Sequence, residues 1–234
     1  MELQNHSLEG YVQISAVKED YLHPTRPVAL RIIRQATGEA NRVKIMEKVV
    51  SSWDDLAIEY KDYGARSQQE YTYTVEYWSN SGVESYVSDA VKSEIDGILI
   101  TDGEKTYVTV AGASYSPQRN FTSTVVQPYY SRYPHMIVNG QQNYDSGTVE
   151  GYFNSFENCA LNDFNAHDAE ELIDFLTSHK PKVLKTFDGI CQAVYVTSDS
   201  QISYAKGSTA DMKLIRFAYK QIGGDDKVNE ILYG

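Results

Sequence analysis

The residues that could carry proton-transfer, nucleophilic or metal chemistry are few: five histidines, two cysteines and scattered carboxylates. His167 and His179 fall on one predicted helix, where a shared face would suit a metal. Twelve steps of about 100° leave them roughly 120° apart around the axis, so they cannot form one ligand face. With His6, His23 and His135 they read as exposed histidines or as charges complementing a helix end. Cys191 sits in the apolar run ICQAVYV and reads as a buried structural thiol. Cys159, in FENCALND, reads as more exposed, and no histidine motif accompanies it. Asp54, Asp55, Glu59 and Asp62 are the nearest approach to a calcium site or a glycosidase pair. Spread over a turn and a strand, they read as a solvated face. Gly223-Gly224-Asp225-Asp226 reads as a polar hinge before a polar tail. No Gly-x-Ser-x-Gly elbow, P-loop, Gly-x-Gly-x-x-Gly, His-Glu-x-x-His or EF-hand loop occurs. The expectation is a protein that is not an enzyme, with no catalytic residues, no metal and no cofactor.

Aromatic side chains offer a different chemistry, stacking and burial. Trp53, Trp78 and the cluster Tyr129, Tyr130, Tyr133 could stack on sugar rings, but core or subunit-interface roles are the commoner use. The chain carries 19 tyrosines, and a large apolar ring with a hydroxyl tip suits strands and wet interfaces.

The elements that would hold these residues are mostly strands. YVQISAV (11–17), VALRIIRQ (28–35) and VKIMEKVV (43–50) are short apolar runs between turn clusters. In EYTYTVEYW (70–78), Tyr71, Tyr73, Val75 and Tyr77 take one face and Glu70, Thr72, Thr74 and Glu76 the other. Turn signals every 8–12 residues and no convincing long helix predict an antiparallel sandwich over 1–95. EIDGILIT then opens a second, β-rich domain over 96–234. Within it ASYSPQRNFTSTVVQPYYSRYP reads as an extended loop or arm around a strand at 121–126. Turns are expected at Asn139-Gly140 and Ser146-Gly147. The main helix is expected at about 167–180, with Leu172, Ile173, Phe175 and Leu176 apolar and His179 and Lys180 at its end. Pro181 stops it, and Asp188-Gly189 predicts a hairpin with a type I′ turn.

The net charge of −11, with acids interspersed among bases, argues against nucleic acid and anionic membrane as partners. Two cysteines are too few for a disulfide framework. The first residues lack a signal-peptide pattern and no apolar run reaches membrane-spanning length. Synthesis in the cytoplasm is therefore expected.

The stretch IEYKDYGARSQQEYTYTVEYWSNSGVES resembles a fibronectin type III-like domain. That resemblance implies that Tyr71 or Tyr73 takes the tyrosine-corner role, its hydroxyl bonding upstream backbone. A second resemblance spans most of the chain. Pro134, Val138-Asn139-Gly140, Tyr144, Ser146-Gly147, Val149 and Gly151 precede the helix, and Lys180 through Lys185 with Gly189 follow it. This order is similar to minor tail or baseplate proteins of long-tailed bacteriophages. It implies a mainly β fold: a fibronectin-like antiparallel sandwich, then a β-sandwich or split-barrel domain with one main helix. It also implies a structural subunit of the virion tail that assembles with other tail and baseplate proteins (tail tube, tail hub), and as a threefold or sixfold ring of its own copies. Phe121, Tyr129, Tyr130, Arg132 and Tyr133 are the expected interface, since aromatics and arginine dominate buried contact energy. The competing expectation is a carbohydrate- or receptor-binding sandwich using exposed aromatics.

Overall fold

A computed structural model describes residues 1–122, 124–137, 142–155, 166–197, 203–206 and 213–234. The fold is mainly β and antiparallel. Strands β1 (Glu2–His6), β2 (Tyr11–Ala16), β3 (Ala29–Ala36), β4 (Arg42–Val49), β5 (Ile58–Asp62), β6 (Gln69–Ser79), β7 (Gly82–Val87) and β8 (Val91–Ser93) make two sheets. One has the order β1-β2-β5, the other β4-β3-β6-β7 with β8 also on β6. Period-2 patterning decides how they meet. Val12, Ile14, Ala16 and Ile58 of the smaller sheet pack on Leu30, Ile32, Tyr73 and Val75 of the larger, giving a sandwich.

The second half closes on itself. Strands β9 (Ile98–Thr101), β10 (Thr106–Phe121), β11 (Thr124–Val126), β12 (His135–Ile137) and β13 (Asn143–Ser155) precede helix α1 (Ala166–Thr177). Strands β14 (Lys182–Thr186), β15 (Cys191–Val196), β16 (Ser203–Lys206) and β17 (Lys213–Gly223) and helix α2 (Asp225–Tyr233) follow. The sheet order is β13-β10-β9-β14-β15-β17, and β17 pairs back onto β13, so six strands form a barrel; β16 adds to β17. Ile98, Ile100, Tyr107, Val149, Leu184, Val194, Ile215 and Phe217 fill it. Leu172, Phe175 and Leu176 of α1 join that core, each contributing about 1.5–3 kcal/mol by burial.

Several expectations need correction. Residues 111–121 are strand rather than loop, and Ser146-Gly147 lies inside β13, paired to Pro117 and Gln118 on one side and to Tyr219 and Lys220 on the other. Polar Ser, Thr and Gln at every second place give no hydrophobic signal, so only pairing reveals these strands. Gly147 serves close approach instead of a turn, because a Cβ there would collide with the Ser116 carbonyl. Gly147→Ala is expected to lower stability by about 1–3 kcal/mol; an unchanged denaturation midpoint would contradict the tight β10–β13 spacing.

The hairpin at Asp188-Gly189 exists, but only Gly189 has positive φ, at 95°. Gly189 N–H donates to Thr186 O (3.2 Å) and Thr186 N–H to Ile190 O (2.9 Å). That is a longer loop with one left-handed residue, not a type I′ turn. Helix α1 ends at Thr177. His179 turns out of the helix at φ 56°, so neither it nor Lys180 occupies the last turn; the Thr177 and Ser178 hydroxyls bond Ile173 O and Phe175 O there, both at 2.8 Å. The polar tail is helix α2. The Asn139-Gly140 turn and Cys159 lie outside the described residues.

Candidate functional site: a projecting arm and a buried junction

Strand β10 pairs with β9 only over Thr106–Val108, while its pairing to β13 continues to Phe121↔Asn143. Beyond Val108 it therefore has one neighbour among the described residues, as an edge strand does. Pro117, which lacks an N–H, is tolerated there because an edge strand leaves one side unpaired. β13 parts from β17 at the Ser146↔Lys220 pair, so the last residues of the β10–β13 hairpin run as a two-stranded arm. Polar cross-links pin it: Arg119 Nη2 donates to Asp145 Oδ2 at 3.0 Å, Asn120 Nδ2 to Ser146 Oγ at 2.7 Å, and Thr122 Oγ1 to Gln142 Oε1 at 3.0 Å. The two-stranded sheet β11–β12 continues beyond it.

All five expected interface residues lie on this arm. Tyr129 and Tyr130 are 94% and 97% exposed, Tyr133 70% and Phe121 68%. Tyr129 and Tyr130 meet edge to face with centroids 5.1 Å apart, and the exposed Arg132 guanidinium lies 5.9 Å from the Tyr133 ring. Four large aromatics left in water on one element are unusual, because each forgoes stabilisation that burial would supply.

Tyr71 and Tyr73 lie elsewhere, both buried near the start of β6. Tyr71 Oη accepts from Arg66 N–H, five residues upstream, at 3.0 Å. Tyr73 Oη donates to Asp62 Oδ2 at 2.8 Å. Asp62 is not part of a solvated face: it is fully buried. Arg34 Nη1 bridges its two oxygens at 2.9 and 3.0 Å, Gly64 N–H donates at 3.0 Å, and Tyr233 Oη donates as well. Burial pushes the Asp62 carboxyl up, but the Arg34 charge and the Tyr233 and Tyr73 hydroxyls outweigh it and hold the pKa below its ordinary value.

Tyr233 is at the end of α2, so the chain's last turn reaches into the sandwich. Gly64 makes room, since a Cβ there would strike the Tyr233 hydroxyl. Arg66 pairs with Asp225 at the start of α2. The supposed Gly-Gly-Asp-Asp hinge is thus the end of β17 and the acidic first turn of a helix, where the dipole favours carboxylates. On its other side α2 packs Val228, Ile231 and Leu232 against Val183, Cys191 and Ala193 of the barrel. Lys185, also fully buried, donates to Gly10 O at 2.9 Å and Tyr63 O at 3.3 Å; burial pushes its pKa down to about 8. Sandwich and barrel are joined by this junction.

The junction left one trace in the sequence. Arg34 falls in phase with Leu30, Ile32 and Ala36, all buried, and a cation on a core face requires an anion opposite it. Nothing local marks Tyr233 as its partner.

Trp53 is 38% exposed beside Tyr21, at 6.3 Å, and Arg31 stacks 4.2 Å over the Trp78 ring. Among the described residues no three His, Cys, Asp or Glu side chains converge as metal ligands would, and no helix is long and apolar enough to cross a membrane. Compared with protein families, characterised proteins and solved structures, the chain matches none.

Proposed function

We propose that this protein is a non-enzymatic structural subunit that works by assembly, of the kind found in a bacteriophage tail tip or baseplate. The observation that carries the reading is the arm: a two-stranded projection with four exposed aromatics and an exposed arginine at its end. Isolated two-stranded hairpins are marginal in water, and interface cores are enriched in aromatics and arginine, so the arm is suited to be covered by a partner. The sheet orders β1-β2-β5 and β4-β3-β6-β7 and the Tyr71 hydroxyl bond support a fibronectin type III-like reading of the sandwich. The buried contacts that α2 makes with both barrel and sandwich are consistent with a scaffold role.

Serine at Tyr129, Tyr130 and Tyr133 is expected to leave the unfolding free energy within about 0.5 kcal/mol of the parent, since these side chains are exposed. The same triple variant should lose the parent's higher-mass species in light scattering. Retention of those species would remove the arm from assembly. A glycan-binding reading draws on the exposed Trp53 instead, and saturable sugar binding lost in Trp53→Ala would favour it.

A further inference from the structure

We infer that the arm of one copy docks on the acid-rich body of a second copy. This rests on the assembly reading above and adds the partner and the polarity of the contact.

From Thr106 to Tyr144 the chain has no aspartate or glutamate and two arginines, Arg119 and Arg132. Taking those two from the 21 bases leaves 19 against 32 acids in the remainder of the chain. Arg119 is paired with Asp145, whereas Arg132 has no carboxylate partner among the described residues. The arm is therefore a weakly cationic, aromatic element on a strongly anionic body.

Two arms meeting end to end would bring cation to cation, with no nearby carboxylate to receive Arg132. An arm meeting a body brings opposite charges together, and such complementarity sets register and disfavours the like-charged arrangement. Because donor and acceptor surfaces differ, the contact closes by reciprocal exchange of arms in a twofold dimer, closes into a larger ring, or grows into a chain.

The test is sedimentation velocity of the full-length protein over a concentration series, at about 0.05 M and 0.5 M salt, where screening lengths differ several-fold. Self-association should weaken on the order of tenfold at the higher salt. Arg132→Glu should weaken it by a similar factor and Arg132→Lys much less. Small amounts of Arg132→Glu mixed with parent should shorten the assemblies, because such copies accept an arm but do not donate one. Assemblies that ignore salt and Arg132→Glu while still being lost in the tyrosine-to-serine variant would overturn arm-to-body charge pairing and leave the arm as the assembly element. Parent-like association of the tyrosine variant would overturn both readings. A monomer at every concentration would overturn a second copy as the partner, leaving assembly only with a different protein.

Discussion

Asp62→Ala should lower the stability of this protein by about 3–5 kcal/mol, the usual cost of stranding one member of a buried ion pair. The substitution leaves the buried Arg34 without its counter-ion, and frees the hydroxyls of Tyr73 and Tyr233 and the Gly64 N–H from their acceptor. Such a loss is a large share of the 5–15 kcal/mol available to a typical domain. Replacing both charges, as in Arg34→Met with Asp62→Leu, should cost less than Asp62→Ala alone, since no buried charge is then unpaired. Denaturant titration of the parent, Asp62→Ala, the single variants Arg34→Met and Asp62→Leu, and the double variant checks this. A double variant as damaged as the sum of its parts would mean that the pair is not coupled.

The sign of the pH dependence follows from the depressed carboxyl. Its stabilisation is fully present above the unfolded value of about 4 and is lost as pH falls through the lower folded value. The gap between parent and Asp62→Asn should therefore narrow below about pH 4 and be flat near neutrality.

The second large effect lies at alkaline pH. Burial pushes Tyr11, Tyr60 and Tyr77 up to about 12, and Tyr73 and Tyr233 higher still, by burial and then by the Asp62 charge. A tyrosine that titrates near 10 when unfolded and near 12 when folded costs about 1.4 kcal/mol of stability for each pH unit between those values. Tyr11, Tyr60 and Tyr77 together remove roughly 3 kcal/mol by pH 11, after a discount for partial exposure, and Tyr73 and Tyr233 act in the same direction. The unfolded chain holds fewer protons there, so stability falls as pH rises. Tyrosinate absorbance and circular dichroism followed in one titration should show these tyrosines ionising together with loss of the fold. Ionisation of all 19 near pH 10 with the dichroism unchanged would contradict their burial.

Alternation was enough to place most of the sandwich. Tyr71, Tyr73, Val75 and Tyr77 are apolar at every second position and are all buried, because a strand with one wet face admits one register. Helix α1 was legible through a different period, with Leu172, Phe175 and Leu176 at i, i+3 and i+4 on one face. The arm's aromatics could also be singled out locally: Tyr129, Tyr130 and Tyr133 cluster beside Arg132 in a stretch without carboxylates.

What the sequence by itself determined, then, is where local periodicity is strong: a mainly β chain, its chief helix, and an aromatic segment set apart by charge. The tertiary structure alone decided the rest. A polar strand such as residues 111–121 carries no hydrophobic signal, and its identity comes from pairing with β13. The last residues look solvated in isolation, yet nine of them form a helix that is marginal by itself and exists by packing between barrel and sandwich. Asp62 reads as a surface acid until Arg34, 28 positions away, and Tyr233, 171 positions away, converge on it. Contacts at such separations depend on how the sheets close, which no window of sequence contains.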